Sequence, residues 1–208
     1  MKNIVLIGAG KRVKETIIPS IFINKVFNIK QIISRDKGNL VKLNPIFKEL
    51  TFKTSSLNEL DLSFVDYIYI GIKPNKINNV IEHITTKFDI SEKVLIIDTP
   101  PIHIKNIFKL HNFLKFKNIF VLEDWPSLLT TKIYKEFLNK KLLGDLEIIE
   151  FQHSSYKYHT LSLLRELFQI NSFSLITKKN ISKNLSKTII FSGLNIIANI
   201  KEPRNYNI

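Results

Sequence analysis

The chain has 208 residues, of which 44% are hydrophobic and 24% are charged, a composition typical of a folded globular protein. It contains no cysteine, which excludes disulfides, iron–sulfur clusters, thiolate zinc sites and a cysteine nucleophile. No apolar run approaches the roughly 18 residues of a membrane span, and the first run, 4–7, is too short for a signal peptide. We therefore expect a cytoplasmic protein without a membrane partner.

The formal net charge of +13 at pH 7 raises the question of a nucleic-acid partner. The 31 basic residues include only four arginines, and the lysines are scattered, with no local group denser than pairs such as Lys140-Lys141. Surfaces that bind nucleic acid usually cluster their charge and use arginine for base contacts. We therefore predict a solvated, lysine-rich surface and no specific nucleic-acid partner.

Strand and helix patterns alternate over the first two thirds of the chain. Short apolar runs predict strands at 3–7, 29–34, 50–52, 67–71, 94–97 and 119–122. Helices are predicted at 12–22, 75–87 and 102–115, the second of which carries an apolar stripe of Ile77, Val80, Ile81 and Ile84. Strands that alternate with long helices indicate βαβ units, so we expect an α/β fold with a Rossmann-type parallel sheet and helices on both faces.

The pattern changes after residue 123. Helices are predicted at 128–139 and 158–168, strands at 146–151, 174–177 and 188–200, a turn at Ser192-Gly193, and a polar tail at 201–208. We expect a dinucleotide-binding Rossmann domain at 1–123 and a small, abbreviated α/β domain at 124–208 for substrate binding or dimerisation. The sequence does not determine the oligomeric state, and a homo-oligomer is one of the alternatives.

Gly8 and Gly10 lie between the first predicted strand and the first predicted helix. In a dinucleotide-binding fold the first glycine makes the tight turn, and the second lets backbone N–H groups approach the pyrophosphate at the helix N-terminus. The third glycine of this fingerprint is replaced by Val13. The alternative is an ordinary turn between a strand and a helix.

Ser34 and Arg35 follow the second predicted strand, where a cofactor-selecting residue is expected. An acid at this point binds the ribose 2′-OH of NAD, whereas arginine accommodates the 2′-phosphate of NADP. The sequence therefore favours NADP, with NAD possible. Two alternatives stay open: Asp36 faces the ribose, which reverses the preference, or Arg35 and Asp36 are surface turn residues.

The order of these motifs resembles the Gfo/Idh/MocA oxidoreductases over about residues 1–168. The motifs that carry the resemblance are Gly8-x-Gly10 with Pro19, Ser34-Arg35, 65–75, Asp98-Thr99-Pro100, 142–146, Tyr156-Lys157-Tyr158-His159 and Leu164-Arg165. The resemblance implies an NAD(P)-dependent enzyme of carbohydrate metabolism. Its small-molecule substrate would be a sugar or a sugar nucleotide.

The resemblance also implies which residues form the site. The cofactor-binding residues would be Gly8, Gly10, Lys11, Arg12, Ser34, Arg35, Pro74, Asn75 and Asp98. His159, at a helix start, would be the catalytic acid or base, with Lys73 a second candidate, although His159 could equally be held by packing. We expect no metal, because His153 and His159 have no acidic neighbour in the sequence.

Two departures from the family affect the expected activity. The family's Glu-Lys-Pro motif reads Asp98-Thr99-Pro100, and Thr99 cannot supply the ammonium group of the catalytic lysine. The family's Pro-Asn-x-x-His turn ends in Asn78 instead of histidine. Two interpretations follow: an NADP-dependent oxidoreductase that relies on His159, or a non-catalytic nucleotide-binding relative that acts as a regulatory or partner subunit. Trp125, the only tryptophan, would stack on a substrate ring or fill a domain junction.

Overall fold

The computed structural model describes residues 1–35, 52–54, 56–101, 104–142, 144, 148–151, 157–168, 179–181, 186–190 and 197–201. Contacts along the chain divide it into two units, residues 1–122 and 123–208, and each is described separately. The domain boundary expected from the sequence lay one residue further along, at 123.

The first unit is built on a sheet of six parallel strands. These strands are β1 (Lys2–Ile7), β2 (Phe27–Ile33), β3 (Phe52–Thr54), β4 (Tyr67–Ile70), β5 (Val94–Asp98) and β6 (Asn118–Leu122). They pair in the order β3-β2-β1-β4-β5-β6, so the direction in which the sheet grows reverses between β1 and β4. In open α/β sheets such a switch point is where ligands bind, outside the carboxyl ends of the strands.

Helices cover both faces of this sheet. On one face, α1 (Ile18–Asn24), which continues a π-helical segment (Val13–Ile17), packs on Ile4 and Leu6 of β1. On the other face, α2 (Pro74–Lys87) and a 3-10 helix (Ile104–Lys115) pack on Val5 and Ile7. Because successive strand residues point to opposite faces, a wholly apolar strand is buried on both sides. The expected Rossmann-type fold is confirmed.

Helix α2 buries the apolar stripe that its sequence predicts. Ile77, Ile81 and Ile84 are fully buried, and Val80 packs at the margin of the same cluster. Asn78 lies on the buried side as well, only 3% exposed. Neither atom of its side-chain amide has a hydrogen-bond partner within the described residues.

The second unit begins with a 3-10 turn (Trp125–Ser127) and α3 (Leu129–Asn139). The elements that follow are β7 (Ile148–Phe151), α4 (Lys157–Phe168), β8 (Lys179–Ile181), β9 (Ser186–Ile190) and β10 (Ile197–Lys201). The strands form a mixed sheet in the order β7-β10-β9-β8, in which only the β7–β10 pair is parallel. None of the helices in the described ranges is both long and apolar enough to cross a membrane.

Several sequence predictions need correction in the last third of the chain. The apolar run at 188–200, in which a turn is predicted at Ser192-Gly193, contributes residues to two antiparallel strands, β9 and β10, and the predicted turn lies outside the described residues. Lys201 belongs to β10 and not to a tail, because its backbone still pairs with Ser186. Strand β8 was not predicted, and the strand predicted at 174–177 lies outside the described residues. In the first unit, the part of the helix predicted at 102–115 that the structure describes is of the 3-10 type.

Candidate functional site

The turn after β1 brings the ends of β1, β2 and β4 together. Gly8 has a φ of +118°, which disfavours any residue with a side chain. Its N–H donates to the Ile33 carbonyl at 2.7 Å, and the Gly71 N–H donates to the Ile7 carbonyl at 2.9 Å. A Cβ atom on Gly8 would collide with the carbonyl oxygen of Gly71. Gly8 is therefore required by the packing of the strands themselves.

Gly10, unlike Gly8, is not closely packed against other residues. A Cβ atom added to this residue would meet no atom within 4 Å, and its φ is not in the left-handed region. Its carbonyl accepts from the Lys14 N–H at 3.1 Å, which begins the first helix. The open space at the helix start fits the pyrophosphate of a dinucleotide, which lies against backbone N–H groups at such a turn.

Val13, in place of the third glycine of the fingerprint, is accommodated by Gly71. Val13 is 1% exposed, and a Cβ atom on Gly71 would lie 2.9 Å from its Cγ2. The same Cβ atom would lie 2.8 Å from the hydroxyl of Tyr69. The close packing that the fingerprint assigns to its last glycine is thus supplied by a glycine at the end of β4.

Three elements meet at a network of Arg12, Asp98 and Tyr69. The Arg12 Nε donates to Asp98 Oδ1 at 3.0 Å, and the Tyr69 hydroxyl donates to Asp98 Oδ2 at 2.7 Å. Tyr69 is buried, and this burial together with its bond to the Asp98 carboxylate raises the pKa of Tyr69 far above its ordinary value of 10.0. Its hydroxyl therefore stays a proton-bearing donor at neutral pH. The network fixes Asp98, at the end of β5, against the start of the first helix.

The remaining cofactor candidates follow the ends of neighbouring strands. Ser34 is buried and Arg35 is exposed, both directly after β2, while Asp36 lies outside the described residues. Arg35 makes no hydrogen bond or ion pair within the described part of the chain. Lys73, Pro74 and Asn75 follow β4, where Pro74 opens α2 and the other two are exposed. Because these strands are parallel, their carboxyl ends share one edge of the sheet.

Two further residues from the sequence analysis are Lys11, a predicted cofactor-binding residue, and Thr99, which replaces the lysine of the family motif. Lys11 is exposed, and its ion pair with Glu15, at 3.9 Å, joins two exposed side chains, so it stabilises little. Thr99 is partly buried after β5, and its peptide bond to Pro100 is cis. Its hydroxyl carries no charge at neutral pH, so it does not replace the lysine of the family motif.

In the second unit, His159 lies in the first turns of α4 and pairs with Glu123. The distance from His159 Nδ1 to Glu123 Oε1 is 2.7 Å, and the two side chains are 16% and 11% exposed. The His159 ring also stacks on Trp125, with ring centroids 5.3 Å apart and an angle of 13° between planes. The Thr131 hydroxyl donates to the Trp125 carbonyl at 2.7 Å, which anchors this turn to α3.

Glu123 gives His159 an acidic partner that lies far from it in the sequence. The two residues are 36 positions apart, so neither local spacing nor periodicity in the sequence brings them together. The described residues hold no group of three or more histidine, cysteine, aspartate or glutamate side chains that could bind a metal ion. The other histidine considered, His153, lies outside the described residues. Trp125 packs on His159, an arrangement that the sequence did not predict.

Comparison with known proteins gives matches in structure only. No protein-family model matches the sequence, and no curated protein matches it either. The fold resembles an oxidoreductase from Thermotoga maritima at a TM-score of 0.74 with 15% identity, covering 97% of this chain and 72% of that one. It resembles a super-repressor mutant of Gal80p from Saccharomyces cerevisiae at a TM-score of 0.75 with 14% identity, covering 99% of this chain and 69% of that one.

A third structure was solved with ligands. It is the WlbA dehydrogenase from Chromobacterium violaceum in complex with NADH and UDP-GlcNAcA, at a TM-score of 0.72 with 11% identity, covering 97% of this chain and 66% of that one. This chain thus spans about two thirds of the length of these structures. This chain shares the fold of these structures, two of which are an oxidoreductase and a dehydrogenase, the class of enzyme to which the resemblance in the sequence points.

Proposed function

We propose that this chain, which has the fold of the Gfo/Idh/MocA-type oxidoreductases, binds NADP on its first unit and oxidises or reduces a sugar or sugar nucleotide. The observation that carries the proposal is the open space beside Gly10, at the point where the strand order reverses between β1 and β4. Ligands of open α/β sheets bind at this point. The NADH in the WlbA dehydrogenase complex supports a nicotinamide cofactor.

Arg35 and Ser34 support NADP over NAD. Arg35 is exposed directly after β2, and its guanidinium has no competing ion pair within the described residues. A guanidinium binds phosphate through two parallel, charge-assisted hydrogen bonds. Ser34, in the position of the acid that would bind the ribose of NAD, is small and uncharged and does not repel a phosphate.

His159 is the residue that we assign to proton transfer. A nicotinamide, when bound, would accept the hydride in oxidation or donate it in reduction, and an acid or base of the protein would take up or give the accompanying proton at the substrate hydroxyl or carbonyl. Thr99 cannot take this role, whereas an imidazole exchanges protons near neutral pH. The sugar or sugar-nucleotide substrate follows from the resemblance and from the UDP-GlcNAcA bound to the WlbA dehydrogenase.

Calorimetric titration with NADP and NAD tests the cofactor assignment. The wild-type chain should bind NADP more tightly, and Arg35→Ala should remove most of the difference, about 1.5–3 kcal/mol for a charge-assisted contact. Lys30→Ala removes one exposed charge from the body of β2 and should leave the preference unchanged. Equal affinities of the wild-type chain for the two cofactors would contradict the assignment of NADP.

Gly10→Val tests the site itself. Because no atom lies within 4 Å of a Cβ atom at this position, the variant should fold normally and show an unchanged circular dichroism spectrum. Its side chain would occupy the space assigned to the pyrophosphate, so binding of both cofactors should be lost. Unchanged NADP affinity in Gly10→Val would remove this turn as the binding site.

A second candidate function is a non-catalytic nucleotide-binding subunit, which Thr99 favours because the family lysine is missing. The resemblance to a super-repressor mutant of Gal80p adds to this reading. NADPH consumption against a panel of keto-sugars and sugar nucleotides separates the two functions. For an enzyme, His159→Ala should lower turnover by about 10²–10⁴-fold while NADP binding stays intact. Clear NADP binding without turnover of any substrate would instead support the non-catalytic function.

A further inference from the structure

We propose that Glu123 is a positioning residue that fixes the tautomer and orientation of the His159 ring, and that Trp125 restricts the motion of this ring by stacking on its face. The inference rests on the proposed function for its catalytic meaning, because His159 is the proton-transfer residue of that proposal. The arrangement itself is a property of the second unit alone, and it is measured without substrate or cofactor.

The short contact between Glu123 and His159 determines which ring nitrogen bears the proton. An ionised carboxylate only accepts hydrogen bonds, so His159 Nδ1, at 2.7 Å from Glu123 Oε1, must be the donor. The neutral ring then has its proton on Nδ1, and proton exchange falls to Nε2. Both side chains are largely shielded from water, which strengthens the bond relative to an exposed pair.

Trp125 restricts motion of the His159 ring perpendicular to its plane, which the hydrogen bond to Glu123 does not restrict. The hydrogen bond holds the edge of the imidazole, while the near-parallel indole, at 13°, holds its face. Glu123 Oε1 also accepts from the Trp125 backbone N–H, at a longer distance of 3.4 Å. One carboxylate oxygen therefore ties together the histidine and the residue on which it stacks.

The surrounding elements hold these three residues from separate directions. Glu123 lies two residues before the 3-10 turn that begins at Trp125, Thr131 ties this turn to α3, and His159 comes from α4. Catalytic histidines commonly depend on a carboxylate that selects the tautomer and steadies the charged form of the ring. The geometry at His159 has this form, with the carboxylate supplied by the segment that follows β6.

Nitrogen-15 NMR of the imidazole at neutral pH tests the inference directly. In the wild-type chain the His159 ring should be in the Nδ1–H form. Glu123→Gln should retain this form, because the glutamine oxygen still accepts from Nδ1. Glu123→Ala should lose the preference, and Trp125→Leu should increase the mobility of the ring. Glu166→Ala is the matched control: it removes another α4-associated carboxylate, bonded to Lys135 at 2.6 Å, and should leave the tautomer unchanged.

Kinetics of the same variants separate positioning from a merely structural role. Glu123→Ala should lower kcat towards the 10²–10⁴-fold loss expected for His159→Ala, with KM changed little, and Glu123→Gln should recover part of the loss. A wild-type ring in the Nε2–H form, or an unchanged tautomer in Glu123→Ala, would overturn the inference whatever the activity. If the tautomers behave as expected and no substrate turns over, the positioning of His159 stands and the proposed oxidoreductase function fails.

Discussion

At the scale of single residues, the hydroxyl of Tyr69 joins two strands of the sheet through one hydrogen bond. It is buried and donates to Asp98 Oδ2 at 2.7 Å, while Arg12 binds the other oxygen of that carboxylate. Removal of a hydrogen bond to a charged group costs about 1.5–3 kcal/mol. We expect Tyr69→Phe to lower the free energy of unfolding by this amount at neutral pH, as measured by urea denaturation. Tyr67→Phe, on the same strand, should change it little.

The pH dependence of this effect has a definite sign. The pKa of Tyr69 lies well above 10.0 in the folded chain, because of burial and the bond to Asp98, whereas an unfolded tyrosine ionises near about pH 10. The stabilisation is therefore complete below about pH 10 and is lost as the pH rises further, by about 1.4 kcal/mol per pH unit. Between pH 10 and 11.5, wild type and Tyr69→Phe should converge in the free energy of unfolding. A constant difference between them would contradict the raised pKa.

At the scale of elements, helix α2 carries two adjacent asparagines in opposite environments. Asn78 is buried with both amide atoms unpaired within the described residues, while Asn79 is exposed. A buried polar group without a partner costs about 1–3 kcal/mol. Asn78→Leu, which keeps the branched shape, should therefore raise the free energy of unfolding by a comparable amount. The same change at Asn79 should stay within about 0.5 kcal/mol.

Thermal or urea unfolding of the Asn78→Leu and Asn79→Leu variants tests this prediction. A loss of stability in Asn78→Leu would show that the amide has a partner, such as a bound water, or that the helix cannot accept the larger side chain. Asn78→Ala distinguishes these outcomes, because it removes the amide without adding volume. Because Asn78 comes four residues after Pro74, a candidate cofactor-binding residue, on the same helix, NADP affinity should be measured in the same variants. Natural proteins often retain a destabilising residue near a site because the site needs it.

The strands and helices of the first unit could be predicted because each has a local signal. Runs such as 4–7 and 94–97 are apolar on every residue, as strands buried on both faces must be, and α2 shows its stripe at helical spacing. The 3-10 form of Ile104–Lys115 could not be predicted, because its apolar spacing also suits an α-helix. Lys201 was misjudged because a charged side chain at a strand end does not prevent its backbone from pairing.

The same distinction between local and non-local signals applies to the candidate site. Residues that belong to a turn motif, such as Gly8 and Gly10, were found from their position after an apolar run. Contacts between distant segments were not, because no local pattern encodes them: Arg12 and Asp98 are 86 positions apart, and Glu123 and His159 are 36 apart. Gly71, which makes room for Val13, was seen only as the end of a strand. These contacts depend on the topology of the fold, which places the ends of strands and helices from distant parts of the chain side by side.

At the scale of the whole molecule, the net charge of +13 predicts weak attraction to any polyanion. Several lysines along the described ranges are exposed, and they belong to different elements, as Lys11, Lys73 and Lys140 show. Attraction of this kind depends on the number of phosphates neutralised and not on base sequence. We therefore expect association with duplex DNA at low salt, equal for unrelated sequences, and weaker than about micromolar at physiological salt.

Fluorescence anisotropy of two labelled duplexes of unrelated sequence tests this expectation. Between 50 and 200 mM salt, a protein that neutralises 6–10 phosphates loses about 10³–10⁵-fold in affinity, and both duplexes should show the same slope. The double variant Lys140→Ala, Lys141→Ala should lose about two phosphate contacts at most, and the slope of log affinity against log salt concentration should fall accordingly, because the lysines are scattered along the sequence. NADP should not compete, because its proposed site is a few fixed contacts at the carboxyl edge of the first sheet and not the scattered lysines. Tight binding of one duplex only, at physiological salt, would show instead that the scattered lysines form a specific nucleic-acid surface.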